Sequence, residues 1–147
     1  MTAPPPSTRP QTAFRALLGA VLLFAGVGHL TFGRVAFLAQ VPRWLPMDAD
    51  LVVVLSGLVE LSLGAALILL ATRRVLVGAV VAAFFVAVFP GNVSQYVNHL
   101  DAFGLDTDRA RLVRLFFQPA LVAWALWSTG AWQAFCSRAA RGNTRSP

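Results

Sequence analysis

Leu51-Val-Val-Val-Leu-Ser-Gly-Leu-Val-Glu60-Leu-Ser-Leu-Gly-Ala-Ala-Leu-Ile-Leu-Leu-Ala71 carries one charged side chain, and after Thr72-Arg73-Arg74 comes Val75-Leu-Val-Gly-Ala-Val-Val-Ala-Ala-Phe-Phe-Val-Ala-Val-Phe-Pro-Gly-Asn92. Each run approaches the ~20 apolar residues that a helix needs to cross a bilayer. A membrane β-strand would instead alternate apolar and polar side chains over about 10 positions, which neither run does. Both therefore read as helices. A connection as short as Thr72-Arg73-Arg74 makes them antiparallel neighbours.

The same pattern extends outward in both directions. Of the 147 residues, 57% are hydrophobic and 12% charged, with a mean hydropathy of +0.68. An ordinary soluble domain has roughly a quarter of its residues charged, and disordered chains and coiled coils are more polar still. Four crossings would use about 80 residues, close to the apolar inventory. The expected fold is all-α: an antiparallel bundle of four transmembrane helices near residues 14–32, 51–71, 75–92 and 113–133, in a single domain over residues 13–135. Residues 1–12, rich in proline and polar side chains, are expected to form a tail outside the fold. Residues 136–147 are expected to be a basic tail. The first run resembles a signal peptide in its basic start, but Phe37 fills a position before Ala39 where cleavage needs a small residue, so a retained helix is expected. Pro90 and Gly91 predict a kink or stop at the end of the third helix, followed by a polar connection over residues 93–110.

Twelve arginines, no lysine and six acids leave a net charge of +6. The arginines punctuate apolar runs and build no basic face, so no nucleic-acid partner is expected. Cys136 is the sole cysteine, which excludes an intrachain disulfide or a multi-cysteine metal site. With four crossings, Arg9, Arg15, Arg73, Arg74, Arg138, Arg141 and Arg145 share one side, and Arg34, Arg43, Arg109, Arg111 and Arg114 lie on the other with the loop acids. The positive side is retained in the cytoplasm. This predicts a multi-pass protein of a bacterial-type inner membrane with both termini cytoplasmic. Residues 35–46, closed by Pro42 and Pro46 and carrying Trp44, read as a short interfacial segment between the first two helices.

Side chains that a bilayer penalises mark the candidate site. An ionisable group at mid-helix costs about 2.5–3.5 kcal/mol on insertion scales and faces protein. Glu60 shares a helix face with Ser56 and Gly64, and Gly57 lies beside it. Arg114 and Gln118 share a face of the last helix, and Gly26 and His29 share one on the first. In the expected topology His29, Asn92, Arg114 and Gln118 fall in the outer third, with Glu60 about 13 Å below the start of its helix. Each residue also has a plainer reading. Glu60 serves equally as a neutral, hydrogen-bonded carboxyl, His29 as a polar helix end, and Arg114 as a snorkelling cation; Asn92 and Gln118 serve as interhelical hydrogen-bond glue. Asp101, Asp106 and Asp108 with His99 lack the spacing of a calcium loop and read as solvated charge, with Asp106 and Asp108 near the cap of the last helix. No metal site, Gly-rich phosphate loop or catalytic triad is expected.

His29-Leu30-Thr31-Phe32, Ser56-Gly57-Leu58-Val59-Glu60 with Gly64, Phe89-Pro90-Gly91-Asn92 and Arg114-Leu115-Phe116-Phe117-Gln118 resemble, in order and spacing, the successive motifs of DoxX-like small membrane proteins. The resemblance covers residues 14–133. Gly91 stands where the family pattern has alanine, Phe116 where it has proline, and Phe117 where it has leucine; these departures are expected to loosen local helix geometry without removing a polar group. The resemblance implies a four-helix membrane fold, with members associated with quinone-linked sulfur oxidation or oxidative-stress membrane complexes. The expected function is binding of a quinone or similar small lipophile by His29, Ser56, Glu60, Asn92, Arg114 and Gln118, with no intrinsic cofactor. Redox activity is expected only as a membrane subunit of a quinone-linked oxidoreductase. A non-catalytic scaffold for other membrane or redox subunits is the alternative.

Overall fold

The computed structural model describes residues 6–143, which are helical with no strand. Four long helices, α1 (Arg9–Leu30), α3 (Ala49–Leu69), α4 (Arg74–Val97) and α5 (Asp108–Ser128), are joined by a short α2 (Arg34–Leu38) and followed by α6 (Ala131–Asn143). A 3-10 turn, Ala71–Arg73, closes the α3–α4 hairpin. α1 packs along α3 and α4 along α5, while α1–α5 and α3–α4 contacts complete a ring of four helices. The buried core lies between them, built from Leu18, Leu22, Leu67, Val77, Val81, Phe85 and Ala125. Three spans, Arg9–Leu30, Ala49–Leu69 and Ala71–Val97, are long and apolar enough to cross a membrane. α5 and α6 meet the same standard only as a pair bent by 75°.

Helix boundaries depart from expectation where capping chemistry overrides composition. α1 begins at Arg9, inside the stretch expected to be a tail. Thr8 caps it, accepting from the Gln11 amide at 3.4 Å while Gln11 Oε1 accepts from the Thr8 N–H at 3.0 Å. Pro10 suits the first turn, where its missing N–H has no helical partner. Residues 1–5 of the expected tail lie outside the described residues. α4 does not stop at Pro90 but runs on to Val97, so the polar connection is shorter than expected. α5 begins at Asp108, with Thr107 rather than Asp106 or Asp108 as its cap, accepting from the Ala110 amide at 3.2 Å. It ends at Ser128, since Gly130 takes φ +75° and turns the chain. The expected crossing over residues 113–133 is therefore broken, and residues 136–143 continue a helix.

Glycine spacing sets how closely α1 and α3 approach. Gly19 and Gly26 on α1 face Gly64 and Gly57 on α3 in antiparallel register. A Cβ at Gly26 would stand 2.8 Å from the Gly57 carbonyl oxygen, and one at Gly64 would stand 2.7 Å from that of Gly19. Backbone thus meets backbone at two levels one heptad apart, as at small-residue interfaces of membrane helices. The end of the ring where α1 begins, here the near end, is held by polar groups on helix C-terminal carbonyls. Arg15 donates to the Leu67 carbonyl, Gln11 Nε2 to that of Trp127 at 3.0 Å, and Arg74 Nε to that of Thr129 at 3.2 Å. Cations and amides there satisfy acceptors that the last helical turn leaves open.

Candidate functional site

The opposite, far end gathers the polar residues singled out in the sequence, in two groups. The first is set by the glycine register. Because α1 and α3 touch at Gly26 and Gly57, His29 in the last turn of α1 comes level with Glu60, and a Cβ at Gly57 would stand 2.7 Å from His29 Cβ. His29 Nδ1 lies 2.9 Å from Glu60 Oε2 and 3.0 Å from the Ala25 carbonyl oxygen. One ring nitrogen offers at most one hydrogen, and only the Ala25 contact has hydrogen-bond geometry. Glu60 Oε2 is left buried without a donor, on a residue only 9% exposed. Ser56, half-buried one turn earlier on α3, stands outside both groups.

The second group joins α4 to α5. Asn92, on the α4 turn that follows Pro90, donates from Nδ2 to Gln118 Oε1 at 2.9 Å, and Gln118 Nε2 donates to the Phe85 carbonyl. Asn92 Oδ1 accepts from Arg114 Nε at 3.3 Å. The segment after α2 closes over these residues. The Gln40 amide lies 2.8 Å from Arg114 Nη2 and 2.9 Å from Arg114 Nε, so it must turn its oxygen to the guanidinium, which only donates. Gly91 permits this approach, since a Cβ there would stand 2.7 Å from the Gln40 carbonyl oxygen. The glycine expected to loosen α4 instead makes room for a neighbouring backbone.

Phenylalanines bridge the two groups. Phe37 of α2 stacks on His29 with ring centroids 3.4 Å apart and meets Phe103 edge-on at 4.7 Å. Arg114 Cζ lies 5.0 Å over the Phe103 ring, within reach of a cation–π attraction. Phe103 is presented by the loop between α4 and α5, in which His99, Phe103 and Gly104 all have positive φ. Of the three loop aspartates expected to be solvated charge, Asp106 is exposed, whereas Asp101 and Asp108 are engaged in ion pairs. Asp101 and Asp108 hold Arg111, which is 5% exposed, with Nη1 of Arg111 2.6 Å from Asp108 Oδ1. His99 Nδ1 lies 2.8 Å from the same Asp108 oxygen. Arg34 of α2 grips Asp50 through Nε at 2.6 Å, and this hydrogen bond holds the guanidinium above its ordinary pKa.

Sequence spacing reaches some of this arrangement and misses the rest. Gln95 lies three residues beyond Asn92 and would share its face in any helix continued past Pro90. Gln40, Phe37 and Phe103 have no local signal, because their roles arise from chain segments folding back.

Two grooves open beside α5. One, of about 280 Å³, is lined by Leu105, Ala110, Val113, Arg114, Phe117, Gln118 and Leu121. The other, of about 630 Å³, lies in the crook of the α5–α6 bend between Val86 and Phe89 of α4 and Val122, Trp127 and Trp132, with Gln118 as its polar contact. Arg114 and Gln118 are thus the expected site residues that line open space; His29, Ser56, Glu60 and Asn92 line neither groove. Among the described residues no acid pairs with Arg114, whose polar neighbours are neutral amides.

No curated protein and no solved structure matches the chain. A family model described as a domain of unknown function (DUF8561) matches residues 18–129, from within α1 to the residue before the Gly130 turn, and the chain belongs to that family.

Proposed function

We propose that this is an integral membrane protein that binds the oxygen-bearing head of a small lipophile, of the quinone class, between Arg114 and Gln118. α1, α3 and α4 each cross, and α5 returns the chain as the fourth crossing before the bend at Gly130, with both termini on the cytoplasmic side. The resemblance of the motif order to that of DoxX-like proteins is in keeping with the same reading.

The observation that carries it is a guanidinium among uncharged partners at the wall of a groove. A cation in apolar surroundings is costly unless paired. Arg114 has five N–H donors, and its contacts with Asn92 and Gln40 leave several for a ligand carbonyl or phenolate oxygen. Gln118 Nε2, with one hydrogen on the Phe85 carbonyl, retains a second. The apolar side chains of the 280 Å³ groove, which Arg114 and Gln118 both line, suit a hydrocarbon ring and tail. Binding and orientation are what these residues supply; no proton step is assigned to Glu60 and His29, which stand behind Phe37.

The test is native mass spectrometry and fluorescence titration of the detergent-purified chain with a short-chain ubiquinone. Arg114→Gln is expected to weaken binding about tenfold or more, equivalent to at least ~1.4 kcal/mol, with helical content unchanged. Absence of binding to the unmodified protein would overturn the reading. A scaffold role is favoured by the continuous bonding from Gln40 through Arg114 and Asn92 to Gln118, which ties the segment after α2 to α4 and α5. In that case Arg114→Gln lowers thermal stability and there is no quinone affinity to lose.

A further inference from the structure

The near end carries arginine and no acid. Arg9, Arg15 and Arg74 lie on helices that meet α5 or α6 there, Arg73 lies in the turn that precedes α4, and Arg138, Arg141 and Arg145 follow α5 in the sequence. No Asp or Glu precedes Asp48, falls between Glu60 and Asp101, or follows Asp108. α6 leaves α5 at 75°, turned by Gly130, and so runs across the end of the ring rather than along it. With 3.6 residues per turn, Trp132, Phe135, Cys136 and Ala139 fall on one side of α6, Gln133 and Ser137 on the other, and Arg138 at the flank. That apolar side is only partly covered by protein: Trp132 is 59% and Phe135 45% exposed. The 630 Å³ groove ends on Trp132 and holds space lined by apolar side chains for most of its length.

We propose that α6 is an in-plane docking helix for anionic phospholipid. Trp132 and Phe135 enter the acyl boundary, Arg138 meets the lipid phosphate, and one acyl chain of that lipid lies in the groove of the α5–α6 crook. An amphipathic helix with aromatic residues on one face and arginine on its flank binds an interface in this way, and its cations add attraction for anionic headgroups. The proposal rests on the membrane reading above but not on a lipophile at Arg114.

The full chain supplies its own probe, since Cys136 is exposed and is the sole cysteine. A nitroxide on Cys136, with the protein reconstituted into phosphatidylcholine vesicles with or without phosphatidylglycerol, is expected to report interfacial depth. Native mass spectrometry is expected to retain phosphatidylglycerol over phosphatidylcholine, with Arg138→Gln and Arg141→Gln together reducing that preference about tenfold. A label in bulk water, a label at the bilayer centre, or equal retention of both lipids would each overturn the proposal. Release of the protein from membranes by alkaline carbonate would overturn the membrane reading along with it. Retained phosphatidylglycerol in a protein that binds no quinone would leave α6 docking intact and remove only the reading at Arg114.

Discussion

Glu60 and Arg114 are both ionisable groups within apolar helices, yet their surroundings assign them different work. Glu60 faces α1 across a contact fixed by glycine, with His29 Nδ1 2.9 Å away, and lines neither of the two grooves beside α5. Its effect should be structural. His29→Ala is expected to lower stability by about 1–3 kcal/mol by leaving a buried carboxyl beside a void. Combined with Glu60→Gln, the loss should be smaller than the sum, giving a coupling of about 0.5–3 kcal/mol. Thermal unfolding in detergent measures it, and additive losses would mean that the two side chains do not interact. Arg114 by contrast borders open space and has amides rather than acids around it, so its substitution should act on ligand affinity.

Interhelical spacing depends on where side chains are missing. Gly57 meets His29 Cβ and the Gly26 carbonyl, so Gly57→Val has no room without separating α1 from α3. A loss of ~1–3 kcal/mol is expected, typical of overpacking, together with displacement of His29 from Glu60. A fall in melting temperature measures the first effect, and a changed His29 ring resonance the second. Gly91→Ala should behave differently, since its Cβ would press on the Gln40 backbone and not on a long helix. Circular dichroism should stay the same while the segment around Gln40 becomes more open to hydrogen exchange. Unchanged exchange there would mean that Gln40 does not rest on α4. α2 acts in the same way as a cover, pinned by Arg34 to Asp50 and by Phe37 to His29.

The whole molecule is polarised end to end. At the near end, arginines and Gln11 bind the C-terminal carbonyls of α3 and α5, and the acids are absent. At the far end, loop acids engage Arg34 and Arg111 while amides surround Arg114. Since arginine-rich loops stay in the cytoplasm, a fluorescent protein fused to the C-terminus should fluoresce in cells, whereas a periplasmic phosphatase fused there should be inactive. The reverse pattern would invert the orientation. Arg15→Leu should be tolerated poorly: it removes the donor to the Leu67 carbonyl where α3 ends, and a loss of ~1–3 kcal/mol in detergent unfolding is expected.

The amino-acid order alone determines that the chain is helical, because apolar runs near the length of a bilayer crossing leave no alternation for strands. It also places Glu60, Asn92, Arg114 and Gln118 on faces that turn toward protein, since helix periodicity and the cost of polar groups in apolar surroundings act locally. Only the tertiary structure decided that these residues divide into two groups, that α2 and the segment after it cover them with Phe37 and Gln40, and that α5 turns away at Gly130 instead of running through residue 133. Those outcomes depend on contacts between segments distant in sequence and on a backbone freedom particular to glycine, and neither leaves a periodic trace along the chain.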